Sequence, residues 1–273
     1  MQALDLIDSW PVENVAAAVI RPNGAVDTSG DQDRQFRIAS VAKPITTWAC
    51  LVAVEEGIVA LDQPVGQPGC TLRHLLSHAG GYPFEGAEPI AKPEGTRIYS
   101  NTGIEIAAQA IADAAGLTFE VYLSEAVFQP LGMTSTSLQG SPAHRMRSTA
   151  TDLVTFLTEV RSPTLISQAT AAEASTIQFP ELSGMVPGVG RYSPCPWGVG
   201  FEIRGSKQPH WTGTTNSPST FGHFGGAGTF IWVDPAVGVA CLALTDRPFD
   251  EWAKEALQLW PVFDDAVLAE ASA

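Results

Sequence analysis

Strand-like patterns lie toward the two ends of this chain and helical ones fill its middle, so any central sheet has to be assembled from both termini. Val15 to Ile20 is a β-branched and alanine run that stops at the turn signal Pro22-Asn23-Gly24; it predicts a strand entering a hairpin, with Gln35 to Ile38 as its neighbour. Near the other end, Val199 to Ile203, Thr229 to Val233 and Val237 to Leu244 are β-rich, with Asp234-Pro235 as the turn between the last two. Between these ends, Ile45, Trp48, Leu51 and Val52 recur at helical spacing over Val41 to Glu56, and Gly57 stands where a C-terminal cap belongs. Leu72 to His78, Thr102 to Gly116, Thr118 to Phe128 and Thr149 to Val160 predict further helices, and Glu251 to Leu268 closes the chain with another. The expected fold class is α/β (α+β): an antiparallel sheet flanked by helices, built from both termini, with a mainly α-helical inserted domain.

Composition enters mainly through what it excludes. With 45% hydrophobic and 16% charged residues the chain belongs with sequences that fold rather than with disordered ones. A net charge of −14 repels phosphate backbones, so nucleic acid is excluded as a partner. Cys50, Cys70, Cys195 and Cys241 form no Cys-x-x-Cys pair and read as reduced core thiols. The stretch from Met1 to Asn14 carries acids and no basic residue, so it does not read as a secretory signal and the expected location is cytoplasmic. Trp48 to Val54 is the best apolar run; it meets Glu55 and Glu56 well short of the roughly 20 residues a membrane span needs, so no membrane insertion is expected.

Three segments can carry chemistry. In Ser40-Val41-Ala42-Lys43 an i, i+3 helical spacing puts a hydroxyl and an amine on one face, and Ser40 is the one serine with a lysine three residues on. Lys43 acts as a base near neutrality only if desolvation or nearby positive potential, such as a helix N-terminus, favours the neutral amine. Tyr99-Ser100-Asn101 offers a phenol for proton transfer and an amide for a substrate carbonyl, and Asn101 can equally cap the helix that follows. The run Gly222-His223-Phe224-Gly225-Gly226-Ala227-Gly228 can bring backbone donors to a substrate; read by itself it is a flexible loop with one exposed histidine.

Taken in order, Ser-x-x-Lys, Tyr-x-Asn and a basic residue-x-Gly before a late strand resemble the signature of penicillin-recognising serine enzymes: class C β-lactamases, D-alanyl-D-alanine peptidases and family VIII esterases. Linking phrases in matching order, Leu75-Leu76-Ser77-His78, Glu94-Gly95-Thr96, Pro130-Leu131-Gly132-Met133 and Ser148 to Leu153, extend the similarity from about Phe36 to Arg247. The resemblance implies Ser40 as nucleophile, Lys43 and Tyr99 as the proton-transfer pair, and Asn101 as a substrate contact. It also implies His223 in the place of the third motif's lysine, Gly225 as that motif's glycine, and the Gly226 N–H completing an oxyanion hole with that of Ser40. With histidine for lysine and Phe224 where a small hydroxyl residue is usual, a carboxylate anchor is missing and small esters fit better than β-lactams.

The expected segments are 1–60 with 190–273 for the sheet domain and 61–189 for the helical one, the active site lying between them. The expected partner is a small ester, amide or β-lactam; no cofactor and no metal are called for, since His74 and His78 lack the glutamate of a zinc-protease pattern. The lipase elbow Gly-x-Ser-x-Gly does not occur. Tyr82, Trp197, Trp211 and Phe224 are the expected pocket aromatics. The rival reading is a penicillin-binding-like regulatory protein that is acylated without turnover.

Overall fold

Side chains along the first strand, β1 (Val15–Ile20), alternate between two apolar layers: Ala16, Ala18 and Ile20 join one core cluster, and Ala17 and Val19 the other. That period of two marks a strand buried on both faces. The computed structural model describes residues 1–271 of the chain. In it, β1 is followed by β2 (Val26–Gly30), β3 (Phe36–Arg37), α1 (Ala42–Glu55), α2 (Leu72–Leu76), α3 (Asn101–Ala115), α4 (Phe119–Leu123) and α5 (Gln129–Leu131). Next come β4 (Ser137–Leu138), β5 (Met146–Ser148), α6 (Ala150–Arg161), α7 (Gln168–Ser175), β6 (Gly184–Val186) and β7 (Gly190–Tyr192). The chain closes with β8 (Glu202–Ile203), β9 (Phe221–Gly225), β10 (Thr229–Asp234), β11 (Val239–Thr245) and α8 (Ala253–Ala271).

The main sheet has the order β2-β1-β11-β10-β9-β8 with antiparallel neighbours, so both chain ends do supply it. One face packs on Ile45, Trp48 and Leu51 of α1 and on through α3 and α6; the other lies under Leu4, Ile7 and Trp10 together with Trp260, Phe263 and Val267 of α8. At roughly 25 cal/mol per Å² of buried apolar surface, these two layers are the main favourable contribution to folding. The four thiols are free and buried, as expected. No helix among the described residues is long and apolar enough to cross a membrane.

The structure corrects several local expectations. The neighbour of β1 is β2, not Gln35 to Ile38: Ala17 pairs with Ser29, and β3 instead joins β5 and β4 in a separate three-stranded sheet. The reason is that β2, Val-Asp-Thr-Ser-Gly, is a polar edge strand with nothing apolar to reveal it, while the Pro22-Asn23-Gly24 turn folds it straight back. Thr118 to Phe128 is α4 followed by one wider π turn over Ser124–Phe128 rather than a single α-helix. The cap of α3 is Ser100, whose hydroxyl accepts from the Gly103 N–H; Asn101 is the first helical residue. Only Glu202 and Ile203 of the Val199 run are strand, and Phe249–Glu251 is a separate 3-10 turn ahead of α8.

Candidate active site

Ser40 sits in a 3-10 turn, Ala39–Val41, between β3 and the first residue of α1. The preceding residue, Ala39, has a left-handed φ of 45°, an uncommon state for alanine. It turns the chain abruptly, so that Ser40 faces a groove while Val41 and Ala42 enter the core. Gly225 fits tightly beneath this turn: a Cβ there would lie 2.4 Å from the Ile38 carbonyl oxygen and 3.2 Å from the Ser40 nitrogen. Neither the Ser40 N–H nor the Gly226 N–H has a backbone acceptor among the described residues, and both residues line the groove.

Lys43, one turn along, is completely buried, with its Nζ 3.0 Å from Ser40 Oγ, 2.7 Å from Asn101 Oδ1 and 3.1 Å from the Ala143 carbonyl oxygen. Burial pushes its pKa down from 10.5 to about 7, against a smaller upward pull from Glu105. An unprotonated amine has two N–H donors and one lone pair. With Asn101 Oδ1 and the Ala143 carbonyl able only to accept, the two donors go there and the lone pair is left for the Ser40 hydroxyl.

Tyr99 lies half-buried against His78, Trp197 and His223, with ring centroids 4.7, 5.8 and 5.7 Å away. This enclosure raises its pKa above the ordinary phenol value. His223 is buried in β9, not on an exposed loop, because its segment pairs with β10 on one side and β8 on the other. Burial first, and then the charge of Lys43, lower its pKa to about 3, so the imidazole is neutral. Its Nδ1 lies 2.6 Å from the Phe224 carbonyl oxygen and must donate there, which leaves Nε2 as the acceptor 3.4 Å from the Tyr99 hydroxyl.

Ser40, Tyr99, His223 and Gly226 line a groove of about 410 Å³, while Lys43 and Asn101 are buried outside its lining. Its walls are largely apolar, with Phe84, Val186, Pro187, Trp197, Phe224 and Phe249, while Glu202 and Asp250 contribute carboxyl side chains. Of the expected pocket aromatics, Trp197 and Phe224 are in the lining. Tyr82 is buried elsewhere with its hydroxyl accepting from the Gln67 N–H, and Trp211 lies behind the wall, donating to Glu202 at 2.7 Å. Glu202 also pairs with Lys207 at 3.0 Å; burial works against its charge, but Lys207 and His210 outweigh that and hold its carboxyl well below the usual range.

Three contributors escaped the sequence reading. Phe84, the Val186-Pro187-Gly188 turn at the end of β6 and Phe249 in its 3-10 turn lie in short segments that no periodicity marks. His78, read as structural, is so in a useful place: its Nδ1 accepts from the Ser100 N–H at 3.2 Å and its ring backs Tyr99. Arg97, buried two residues before Tyr99, donates to the Cys195 and Gln178 carbonyls and ties this segment to the chain beyond α7. Thr71 caps α2 in a capping box completed by the His74 side chain, and no group of metal-binding side chains occurs among the described residues.

The fold is an antiparallel sheet with helices packed on both faces, which is the beta-lactamase-like fold. The beta-lactamase family model matches residues 11–260, and the chain belongs to that family. A β-lactamase structure from Mycobacterium bovis is 48% identical over 99% of this chain and 100% of its own, with a TM-score of 0.96. A D-amino acid amidase from Ochrobactrum anthropi shares the fold at 20% identity, with a TM-score of 0.77 over 98% of this chain and 99% of its own. Penicillin-binding protein 4* of Bacillus subtilis is 28% identical over an alignment of 134 residues, with a coverage of 37% of this chain and 30% of that protein.

Proposed function

We propose that the protein is a serine hydrolase that acts on small, uncharged carboxylic esters through an acyl-enzyme at Ser40. The observation that carries this reading is the buried Lys43 amine, 3.0 Å from Ser40 Oγ with a pKa lowered to about 7. Lys43 takes the hydroxyl proton as Ser40 attacks the carbonyl carbon. The N–H groups of Ser40 and Gly226 hold the oxyanion, where a single donor is typically worth about 3 kcal/mol of barrier. Tyr99 hands a proton to the departing alkoxide, and water then releases the acyl group by the reverse path. Asn101 supports the reaction by orienting Lys43, and Gly225 by leaving room for the Ser40 turn.

Ester preference follows from charge. A neutral His223 leaves the third-motif position without a cation, and Asp250 in the lining, unlike the Lys207-paired Glu202, has no cationic partner among the described residues and disfavours a second carboxylate in the groove. The apolar walls suit an acyl chain or an aryl leaving group. The groove draws Ser40 from segment 1–60, Phe84, Tyr99 and Pro187 from 61–189, and His223 and Phe249 from beyond 190, which fits a site between the two proposed domains.

Ser40→Ala is expected to lower turnover of p-nitrophenyl butyrate by at least about a thousandfold with an unchanged circular dichroism spectrum. A fluorophosphonate should add its mass to the Ser40 peptide of the wild-type protein. Turnover that survives the substitution refutes the assignment. Labelling without steady-state turnover of any ester, cephalosporin or D-alanyl dipeptide moves it to the regulatory-protein reading.

A further inference from the structure

Another cavity, of about 270 Å³, is lined by Arg34, Arg37 and Arg147 together with Asp246 and Pro248. Gly226 is common to the linings of both spaces. Three of the 15 basic residues of a chain with net charge −14 therefore meet in one small space. Their arrangement is unfavourable unless something neutralises it. Arg37 and Arg147 are register partners on β3 and β5, directly opposite each other, where like charges destabilise a strand pair.

The protein does little to relieve this repulsion. Among the described residues, the ion pairs within 4.0 Å include none of the three guanidinium groups. Arg147 donates to the Gln35 carbonyl at 3.0 Å, and Arg34 lies 6.0 Å from the Phe36 ring centroid, so both are steered by neutral partners. Asp246 is the one acid in the lining, and its two oxygens already accept from the Asn14 backbone and side-chain nitrogens at 3.0 and 2.6 Å. Forked guanidinium donors without a carboxylate partner suit a planar or tetrahedral oxyanion, which they can hold at two points each.

We propose that this cavity is an anion-binding subsite for a phosphate or carboxylate group, held by Arg37 and Arg147 with Arg34 at its side. The anion is either free or carried on the far end of a substrate that passes Gly226. The assignment does not depend on Ser40 chemistry, because binding is read without turnover.

The test is titration of the wild-type and Ser40→Ala proteins with inorganic phosphate at constant ionic strength, followed by calorimetry and thermal shift. A saturable single site is expected, weakened at least tenfold in Arg37→Gln and in Arg147→Gln, and unchanged in Arg191→Gln on the exposed β7 hairpin. Arg37 is exposed, so its variant should fold, and without phosphate at low salt it should melt higher than the wild type because the cross-strand repulsion is gone. Phosphate binding that is absent from the wild type, or equally strong in all three arginine variants, overturns the proposal. A second arm compares the p-nitrophenyl monoester of adipic acid with p-nitrophenyl valerate. A selective loss on the former of fivefold or more in Arg37→Gln identifies a substrate-borne anion; an unchanged ratio in Arg37→Gln beside its weakened phosphate binding identifies a free one.

Discussion

Acidifying the enzyme from pH 9 to pH 5 should silence it through one residue. Lys43 works as a base only as the free amine, and its pKa is lowered to about 7. Below that value the free-amine fraction falls about tenfold per pH unit, so about one molecule in a hundred retains it at pH 5. The neighbouring groups cannot produce the same limb: the imidazole of His223 titrates near 3, and the phenol of Tyr99 lies above its ordinary value. The assay is kcat/KM for a neutral aryl ester from pH 5 to 9, corrected for spontaneous hydrolysis, since that ratio reports the free enzyme. Glu105 is the group that raises the Lys43 pKa, and its Oε1 accepts from the Ser141 hydroxyl in the loop that carries Ala143. Glu105→Gln keeps the shape and removes the charge, so the acid limb should move to lower pH. A profile flat to pH 5, or a limb centred near 4 to 5 that ignores Glu105→Gln, would show that a carboxylate or no side chain at all serves as base.

Two further substitutions probe the frame around the pair. Gly225→Ala puts a methyl 2.4 Å from the Ile38 carbonyl oxygen and should lower kcat/KM on the order of a hundredfold by displacing the Ser40 turn; activity within threefold of wild type, with an unchanged melting curve, counts against that tight fit. Glu202→Gln strands the Lys207 charge behind the groove wall and should cost about 3 kcal/mol or more, a drop in Tm on the order of 10 °C by thermal denaturation; a shift under about 2 °C would mean the pair contributes little.

How much of this could be read from the sequence depends on whether a residue's role is local. The strand β1 and the helix α1 were legible because their own side chains must alternate or recur to reach a core, and both appear within a residue of the expected bounds. The order of the three motifs was legible because each is a short local pattern. Strand β2 was not, since an exposed edge needs no apolar face. The burial of His223 was not, because it depends on β8 and β10 arriving from either side. Nor could the sequence reveal that Arg37 faces Arg147, since that opposition is created by register between segments 110 residues apart.

The charge state of the site ties these pieces into one argument. In the range where Lys43 is unprotonated, His223 is neutral too, and the Tyr99 phenol keeps its proton with His223 Nε2 as an acceptor for it. The two uncharged bases are self-consistent: a charge on Lys43 lowers the pKa of His223, so the two resist carrying protons together. No cationic side chain is then left in the groove to hold a developing oxyanion. Under the proposed mechanism, stabilisation comes from fixed dipoles, namely the Ser40 and Gly226 N–H groups and the start of α1. Such dipoles do not depend on pH, and they require the backbone of the Ser40 turn to stay in place as charge develops. Under that proposal the left-handed φ at Ala39 and the bare Cα at Gly225 have a physical reason: both belong to the tight packing that holds the Ser40 turn in place.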